Sequence, residues 1–269
     1  MKMPAAYSPS LVHHAAMKAL VPELHYAGGD VAGVTWGWNA WGHRFDDFER
    51  DAAVAEILLD RLEMRRYIGS LILEGGAVHC DGEGTLLTSE SVLMNPNRNP
   101  NLTKEQVEEQ LIQMLGVRHI IWLGEGLQDD MRGGHVENLA RFVRPGVVLA
   151  TSCSDPADPN FKVCEDNLQR LRQTRDAAGR ELEIIEVEQP RPRFDAEGRR
   201  LAMSYVNFYL PNSAVILPAF EDGQADKRAY DMTEWEYQIG DDGFALVDPT
   251  LTDPRCVWNL LKAHVDVYT

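Results

Sequence analysis

A chain of 269 residues, 44% hydrophobic and 25% charged, can bury a substantial core as one large domain or two small ones. Its 42 acidic residues against 26 basic ones give a formal charge of −16, which disfavours non-specific contact with nucleic acid or an anionic membrane and points to a small cationic partner. No apolar run has the length of a secretory signal or a membrane span, and Cys80, Cys153, Cys164 and Cys256 show no C-x-x-C pattern, so a reducing cytoplasm is expected, with neither a zinc knuckle nor a disulfide framework.

RDAAVAEILLDRLEM (50–64) places Val54, Ile57, Leu58 and Leu62 at helical spacing and predicts an amphipathic helix with that face inward. LILEGG (71–76) and GTLLTSE (84–90) are apolar runs separated by a Gly-rich turn, which predicts two strands forming a hairpin. LTKEQVEEQLIQMLG (102–116) carries its own boundaries: Thr103 as N-cap, Gln106 completing a capping box, Leu102 stapled against Val107, and Gly116 as the left-handed terminator. Strands are then expected at 117–124 and 146–152, followed by a helix over 161–173 whose inner face is Phe161, Cys164, Leu168 and Leu171. ELEIIEV (181–187), SYVNFYL (204–210) and AVIL (214–217) return to strand, with a turn at Asn212 between the last two. Beyond residue 231 the apolar clusters are short and irregular; a strand at Phe244–Val247 and a short helix at Cys256–Ala263 are expected within loops.

Paired strands followed by a helix and a further strand recur at roughly 70-residue intervals, which favours an α/β repeat fold over a doubly wound sheet. Neither G-x-G-x-x-G after a strand nor G-x-x-x-x-G-K-[ST] occurs, so no nucleotide cofactor is indicated.

Three places carry side chains suited to chemistry. In GGHVEN (133–138) an extended backbone would point His135 and Glu137 to one side, and a carboxylate beside an imidazole can hold it protonated for acid–base work. On spacing alone a packed histidine with a surface glutamate is the commoner arrangement. Glu74 ends an apolar strand before two glycines and is either aimed at a site or a turn residue. His79, Cys80 and Asp81 are consecutive, so their side chains diverge, and no metal site is assigned.

LEGGAVHCDGEGTLLTSESVLMNPNRNPNLTKEQVEEQLIQMLGV, IIWLGEGLQDDMRGGHVENLARFV, DAAGRELEII and SYVNFYLPNSAVILPAFEDGQADKRA, in this order and preceded by GVTWGWNAWG, resemble the agmatine deiminases and their relatives the bacterial peptidylarginine deiminases. The resemblance covers about residues 31–231. It implies the pentein fold, ββαβ modules about a pseudo-fivefold axis, and a cofactor-free hydrolase of guanidino C–N bonds that converts agmatine to N-carbamoylputrescine and ammonia in putrescine biosynthesis. It assigns His135 as the proton shuttle, Glu74 as the carboxylate that orients and charges it, and Glu137 as the group that grips the guanidinium, where the family carries a shorter aspartate. Asp129 and more particularly Asp130 become candidates for the substrate's distal ammonium. The family's arginine–aspartate pair upstream of WGWNAWG has no counterpart in residues 1–30, and none of the four cysteines stands in the Gly-rich context of the family's nucleophile, which is left unassigned.

The organisation expected is an irregular segment at 1–30, a pentein domain of about three modules at 31–231 with its ring incomplete, and a tail outside the family at 232–269. Open strand edges in such a ring make a homo-oligomer the expected assembly. The function expected is that of an agmatine deiminase-like hydrolase with little turnover for want of a thiolate; the alternative is a non-catalytic protein that binds a guanidinium or a protein partner.

Overall fold

A computed structural model describes residues 32–208, 214–215, 217–236 and 245–246. Strand β1 (Ala32–Gly37) is followed by short helices α1 (Glu49–Ala52) and α2 (Val54–Arg61) and pairs in parallel with β2 (Arg65–Ile72). Next come β3 (Val78–Cys80), β4 (Thr85–Ser89), the short α3 (Glu90–Leu93), α4 (Lys104–Leu115) and β5 (His119–Leu123). The third group is β6 (Ala140–Arg144), β7 (Val147–Ser152), α5 (Asn160–Gln173) and β8 (Glu183–Glu188). Last, β9 (Ala214–Val215) and β10 (Ala245–Leu246) pair in parallel around α6 (Gly223–Glu236).

The second and third groups are the ββαβ module in full: β3 runs antiparallel to β4 and β4 parallel to β5, and β6, β7 and β8 repeat the pattern. The first and last groups present the β-α-β part of the same unit. The described residues therefore hold four units where about three were expected, because the repeat is shorter, roughly 60 residues from Thr85 of β4 to Val147 of β7.

Period-two alternation explains how neighbouring units share a core. Leu86 and Trp122 face one apolar cluster, together with Leu71 and the inner face of α4, Val107, Leu111 and Leu115. Leu87, Ile121 and Leu123 point from the opposite face into a second cluster with Val148, Ala150 and the α5 residues Cys164, Leu168 and Leu171. Leu149 turns the other way again, onto Ala225 and Ala229 of α6. The β3–β4–β5 sheet is thus covered on both faces, as parallel pairing favours.

α4 begins and ends as its sequence dictates: Thr103 Oγ1 accepts from Gln106 N at 3.3 Å, Gln106 Oε1 accepts from Thr103 N at 2.8 Å, and Gly116 closes the helix at φ 68°. Leu102 packs on the cluster that contains Val107. Other expectations are corrected. The 50–64 helix is two short pieces, and Val54 and Ile57 are 52% and 49% exposed while Leu59 is buried, so the inward face lies beside the one read from spacing. Of LILEGG only Leu71 and Ile72 lie in a strand, the end of β2, which pairs with β1; the hairpin partner of GTLLTSE is β3, closed by an Asx turn in which Asp81 Oδ1 accepts from Glu83 N and Thr85 N at 2.7 and 2.8 Å. Residues 204–208 form a turn and not a strand, with Tyr205, Val206 and Phe208 buried under α6. α6 continues through Glu236 where irregular chain was expected after 231, and β10 falls within the strand read at Phe244–Val247. Asn212 and Cys256–Ala263 lie outside the described residues.

Candidate active site

The end of β2 is fixed by Asn99, whose Oδ1 accepts from Ile72 N at 3.0 Å and whose Nδ2 donates to Ile72 O and Leu93 O at 3.2 and 3.1 Å. Leu73 N still donates to Gly37 O of β1, so the sheet ends immediately before Glu74. Glu74 then sits in extended conformation ahead of a single 3-10 turn, Gly75–Ala77, and its side chain is 3% exposed. A carboxylate buried to this degree needs a partner. Arg98, 1% exposed, supplies it: Nε donates to Glu74 Oε1 at 2.9 Å, Nη2 to Arg132 O at 2.7 Å and Nη1 to Asn97 Oδ1 at 3.0 Å.

His135 stands opposite. It is not in a strand: with φ −55° and ψ 136° it precedes a 3-10 turn at Val136–Asn138, so the alternation invoked for HVE does not apply, and it is the tight turn that brings Glu137 beside the ring. His135 Nδ1 lies 3.5 Å from Glu137 Oε1 and Nε2 lies 3.7 Å from Glu74 Oε2. These are ion-pair distances beyond good hydrogen bonding. Both ring nitrogens and Glu74 Oε2 are buried without a hydrogen-bond partner. Gly76 makes the convergence possible, since a Cβ there would stand 2.5 Å from the Glu137 carboxylate and from His135 Nδ1.

Burial pushes the His135 pKa down, but the carboxylates of Glu137 and Glu74 outweigh it and hold the imidazole above its usual 6.5. Burial opposes ionisation of Glu74 and Glu137 as well; His135, with Arg98 at Glu74 and Arg132 at Glu137, holds both below 4.5. The two carboxylates thus favour the protonated imidazole, and the imidazole favours the ionised carboxylates.

Asp130 lies behind this set. It is 6% exposed and its oxygens accept from Arg132 N at 3.0 Å, from His135 N at 3.3 Å and from Asn138 Nδ2 at 3.3 Å. Asp129, at φ 57°, accepts from Arg200 N at 3.2 Å. His79 and Cys80 are structural: His79 Nδ1 accepts from Phe142 N at 3.3 Å, burial and the Arg141 charge push its pKa down to about 3, and burial pushes the Cys80 thiol up to about 12.

Glu74, His135, Glu137 and Arg132 form the polar end of a cavity of about 580 Å³ whose walls include Trp36, Trp38, Trp41 and Phe45. Trp41 is presented by a helical turn, Ala40–His43, in which Ala40, Trp41, Gly42 and His43 all have φ between 54° and 81°. Consecutive left-handed residues are costly and persist where surroundings enforce them. Here Asn39 does so, accepting from Gly42 N at 3.0 Å and donating to Asn97 O at 2.8 Å. The loop 95–99 thus ties together the aromatic wall, the end of β2 and Glu74. Arg98, Asn97 and Asn99 were not identified from the sequence, where this loop entered only through the family resemblance; an arginine and three asparagines beside prolines, between two helices, was the available signal. Among the described residues, none of the cysteines lines the cavity.

ββαβ modules bearing a carboxylate–histidine–carboxylate set in the lining of a cavity place the chain among the penteins. The Porphyromonas-type peptidyl-arginine deiminase family matches residues 8–238, beyond 31–231 at both ends, and the chain belongs to that family. Agmatine deiminase of Medicago truncatula is 41% identical over 221 residues, 74% of this chain and 59% of that protein. The solved agmatine deiminase of Enterococcus faecalis superposes with a TM-score of 0.75 at 30% identity, over 82% of this chain and 65% of the other. A substrate-bound C. jejuni agmatine deiminase gives 0.73 at 30% identity, over 82% and 64%. The chain spans less than two thirds of the length of these relatives.

Proposed function

We propose that this chain carries the guanidinium-binding and proton-shuttling part of an agmatine deiminase-type hydrolase. The observation that carries the reading is that Glu74 Oε2 and both nitrogens of His135 are buried, unpartnered and gathered at the polar end of an aromatic-walled cavity. Buried polar atoms without protein partners are uncommon, and several of them converging on one cavity support a ligand-binding reading. A guanidinium offers planar N–H donors suited to Glu137 and Glu74, and the polymethylene chain of agmatine suits tryptophan walls.

In the chemistry of the family a thiolate adds to the guanidinium carbon and the C–N bond breaks, with ammonia leaving on a proton from His135. Water then gives a proton to His135 and adds to the same carbon, and the C–S bond breaks to restore the thiolate and release the ureido product. A raised imidazole pKa suits the first transfer, since His135 must start protonated. Asp130 supports this by fixing the backbone of His135, a positioning role where a substrate contact was expected. Cys80, Cys153 and Cys164 are buried thiols whose pKa burial raises, the opposite of an activated nucleophile. None of the three lines the cavity and Cys256 lies outside the described residues, so binding of a guanidino compound without turnover stands as the second reading.

No helix among the described residues is long and apolar enough to cross a membrane, and the described cysteines are free thiols. A cytoplasmic place in polyamine metabolism fits both, and self-association is proposed with it.

Calorimetric titration of agmatine into the full chain and into Glu137→Gln tests the reading. Saturable one-to-one binding that weakens at least about tenfold in the variant is expected, the size of a lost charge-assisted hydrogen bond. Equal affinity in the two proteins would remove Glu137 from the site.

A further inference from the structure

Arg132 brings a guanidinium of the protein's own to the carboxylate assigned to the ligand. Its Nη1 lies 3.2 Å from Glu137 Oε1, and both side chains are 29% exposed at the cavity's polar end. The backbone of Arg132 is held on both sides: its N–H donates to Asp130 Oδ1 at 3.0 Å and its carbonyl accepts from Arg98 Nη2 at 2.7 Å. Gly133 and Gly134 follow at φ 86° and 102°, and Gly133 N donates to Asp130 O at 2.8 Å, closing a tight turn. Such anchoring leaves the side chain, and not the loop, as the part able to swing.

A second carboxylate is within reach. Arg132 Nε lies 3.4 Å from Asp130 Oδ1, so a head group that leaves Glu137 remains paired. A partly exposed ion pair of this kind is individually weak, which makes the exchange of one guanidinium for another an easy one. One carboxylate edge accepts a planar fork from one guanidinium at a time.

We propose that Arg132 is a resident counter-ion of the guanidinium subsite, occupying Glu137 until a guanidino ligand displaces it toward Asp130, and that it thereby sets the affinity of the site. The proposal rests on the reading that Glu137 takes the ligand's guanidinium. Its consequence is a site that stays charge-balanced when empty and that weak monovalent amines fail to open, because an ammonium offers Glu137 no planar pair of N–H donors with which to displace the Arg132 head group. Apparent affinity falls by the fraction of molecules in which Glu137 is free.

The experiment is agmatine titration by calorimetry, at fixed ionic strength, into the full-length wild type and the Arg132→Ala, Arg132→Gln and Arg132→Lys variants, each also in a Glu137→Gln background. Two neutral variants guard against one that folds poorly, and melting temperatures identify it. Arg132→Ala and Arg132→Gln are expected to bind agmatine about fivefold more tightly, as for a carboxylate occupied about four-fifths of the time. Arg132→Lys, which keeps the charge, stays within about twofold of wild type, and the gain disappears when Glu137 is replaced. A structural role for Arg132 would not produce tighter binding that depends on charge and on Glu137. Unchanged or weaker agmatine binding in the neutral variants, with wild-type binding intact and dependent on Glu137, overturns the proposal and leaves the functional reading standing. Absence of binding in every form overturns both.

Discussion

Arg98 Nε lies 2.9 Å from Glu74 Oε1, with the two side chains 1% and 3% exposed, so one oxygen of Glu74 is fixed by the protein while the other is left facing His135. The division of labour within a single carboxylate suits the orienting role proposed for Glu74. Removing one member of a buried pair strands the other charge. Arg98→Met is therefore expected to lower unfolding free energy by about 3 kcal/mol in urea denaturation, and Arg98→Met with Glu74→Gln to recover part of that loss. A cost below about 1 kcal/mol would show that the pair is better solvated than its burial implies.

The pH dependence follows from the three titrating groups. His135 has a pKa raised above 6.5 in the folded chain, so its stabilising contribution is complete below that value and is lost as pH rises through the raised one. Glu74 and Glu137 are held below 4.5, so theirs is complete above 4.5 and is lost as pH falls through the depressed values. Stability due to this set is greatest between 4.5 and 6.5. NMR titration of the His135 ring is expected to show a midpoint above 6.5 that drops in Glu137→Gln; a midpoint below 6.5 in the unmodified chain would mean that burial outweighs the carboxylates.

Adjacent glycines provide a paired test of the site's geometry. A Cβ at Gly76 meets the Glu137 carboxylate and His135 Nδ1 at 2.5 Å, whereas a Cβ at Gly75 meets nothing within 4 Å. Gly76→Ala is expected to shift the His135 titration downward by forcing Glu137 away, and to weaken agmatine binding at least about tenfold. Gly75→Ala is expected to leave the His135 midpoint unchanged. Identical titrations in all three proteins would contradict the contact.

What could be read from the sequence was whatever depends on near neighbours. The capping box of α4 and the inner face of α5 are fixed by residues three and four apart, and both stand as read. β1 and β6 were not read as strands, because each is pinned by pairing with a segment that carries a stronger apolar signal. The pair His135 and Glu137 was anticipated for a reason that fails, extended backbone, and holds for another, a 3-10 turn. Glu74 reached His135 in the sequence analysis only through the family resemblance, since 61 positions separate 74 from 135 and no local period spans them. Arg98 was invisible: its importance comes from burial beside Glu74, and nothing in NPNRNP states that its arginine points inward.

Turnover is a separate question from binding. The described cysteines are buried and their thiols raised in pKa, and water alone is a poor nucleophile toward a resonance-stabilised guanidinium. The purified chain is expected to release little or no ammonia from agmatine or arginine. Ammonia release that disappears in Cys256→Ser would assign the nucleophile to a residue outside the described structure; release that survives replacement of all four cysteines but not His135→Ala would require direct attack by water.

The central claim is that Glu74, His135 and Glu137 form one guanidinium site. A crystal structure of the chain with agmatine tests it most directly. The guanidinium is expected within hydrogen-bonding distance of Glu137 and Glu74 Oε2, beside the His135 ring, with the aliphatic chain against Trp36, Trp38 or Trp41. Agmatine bound elsewhere, with the His135 nitrogens and Glu74 Oε2 still unpartnered, would contradict it.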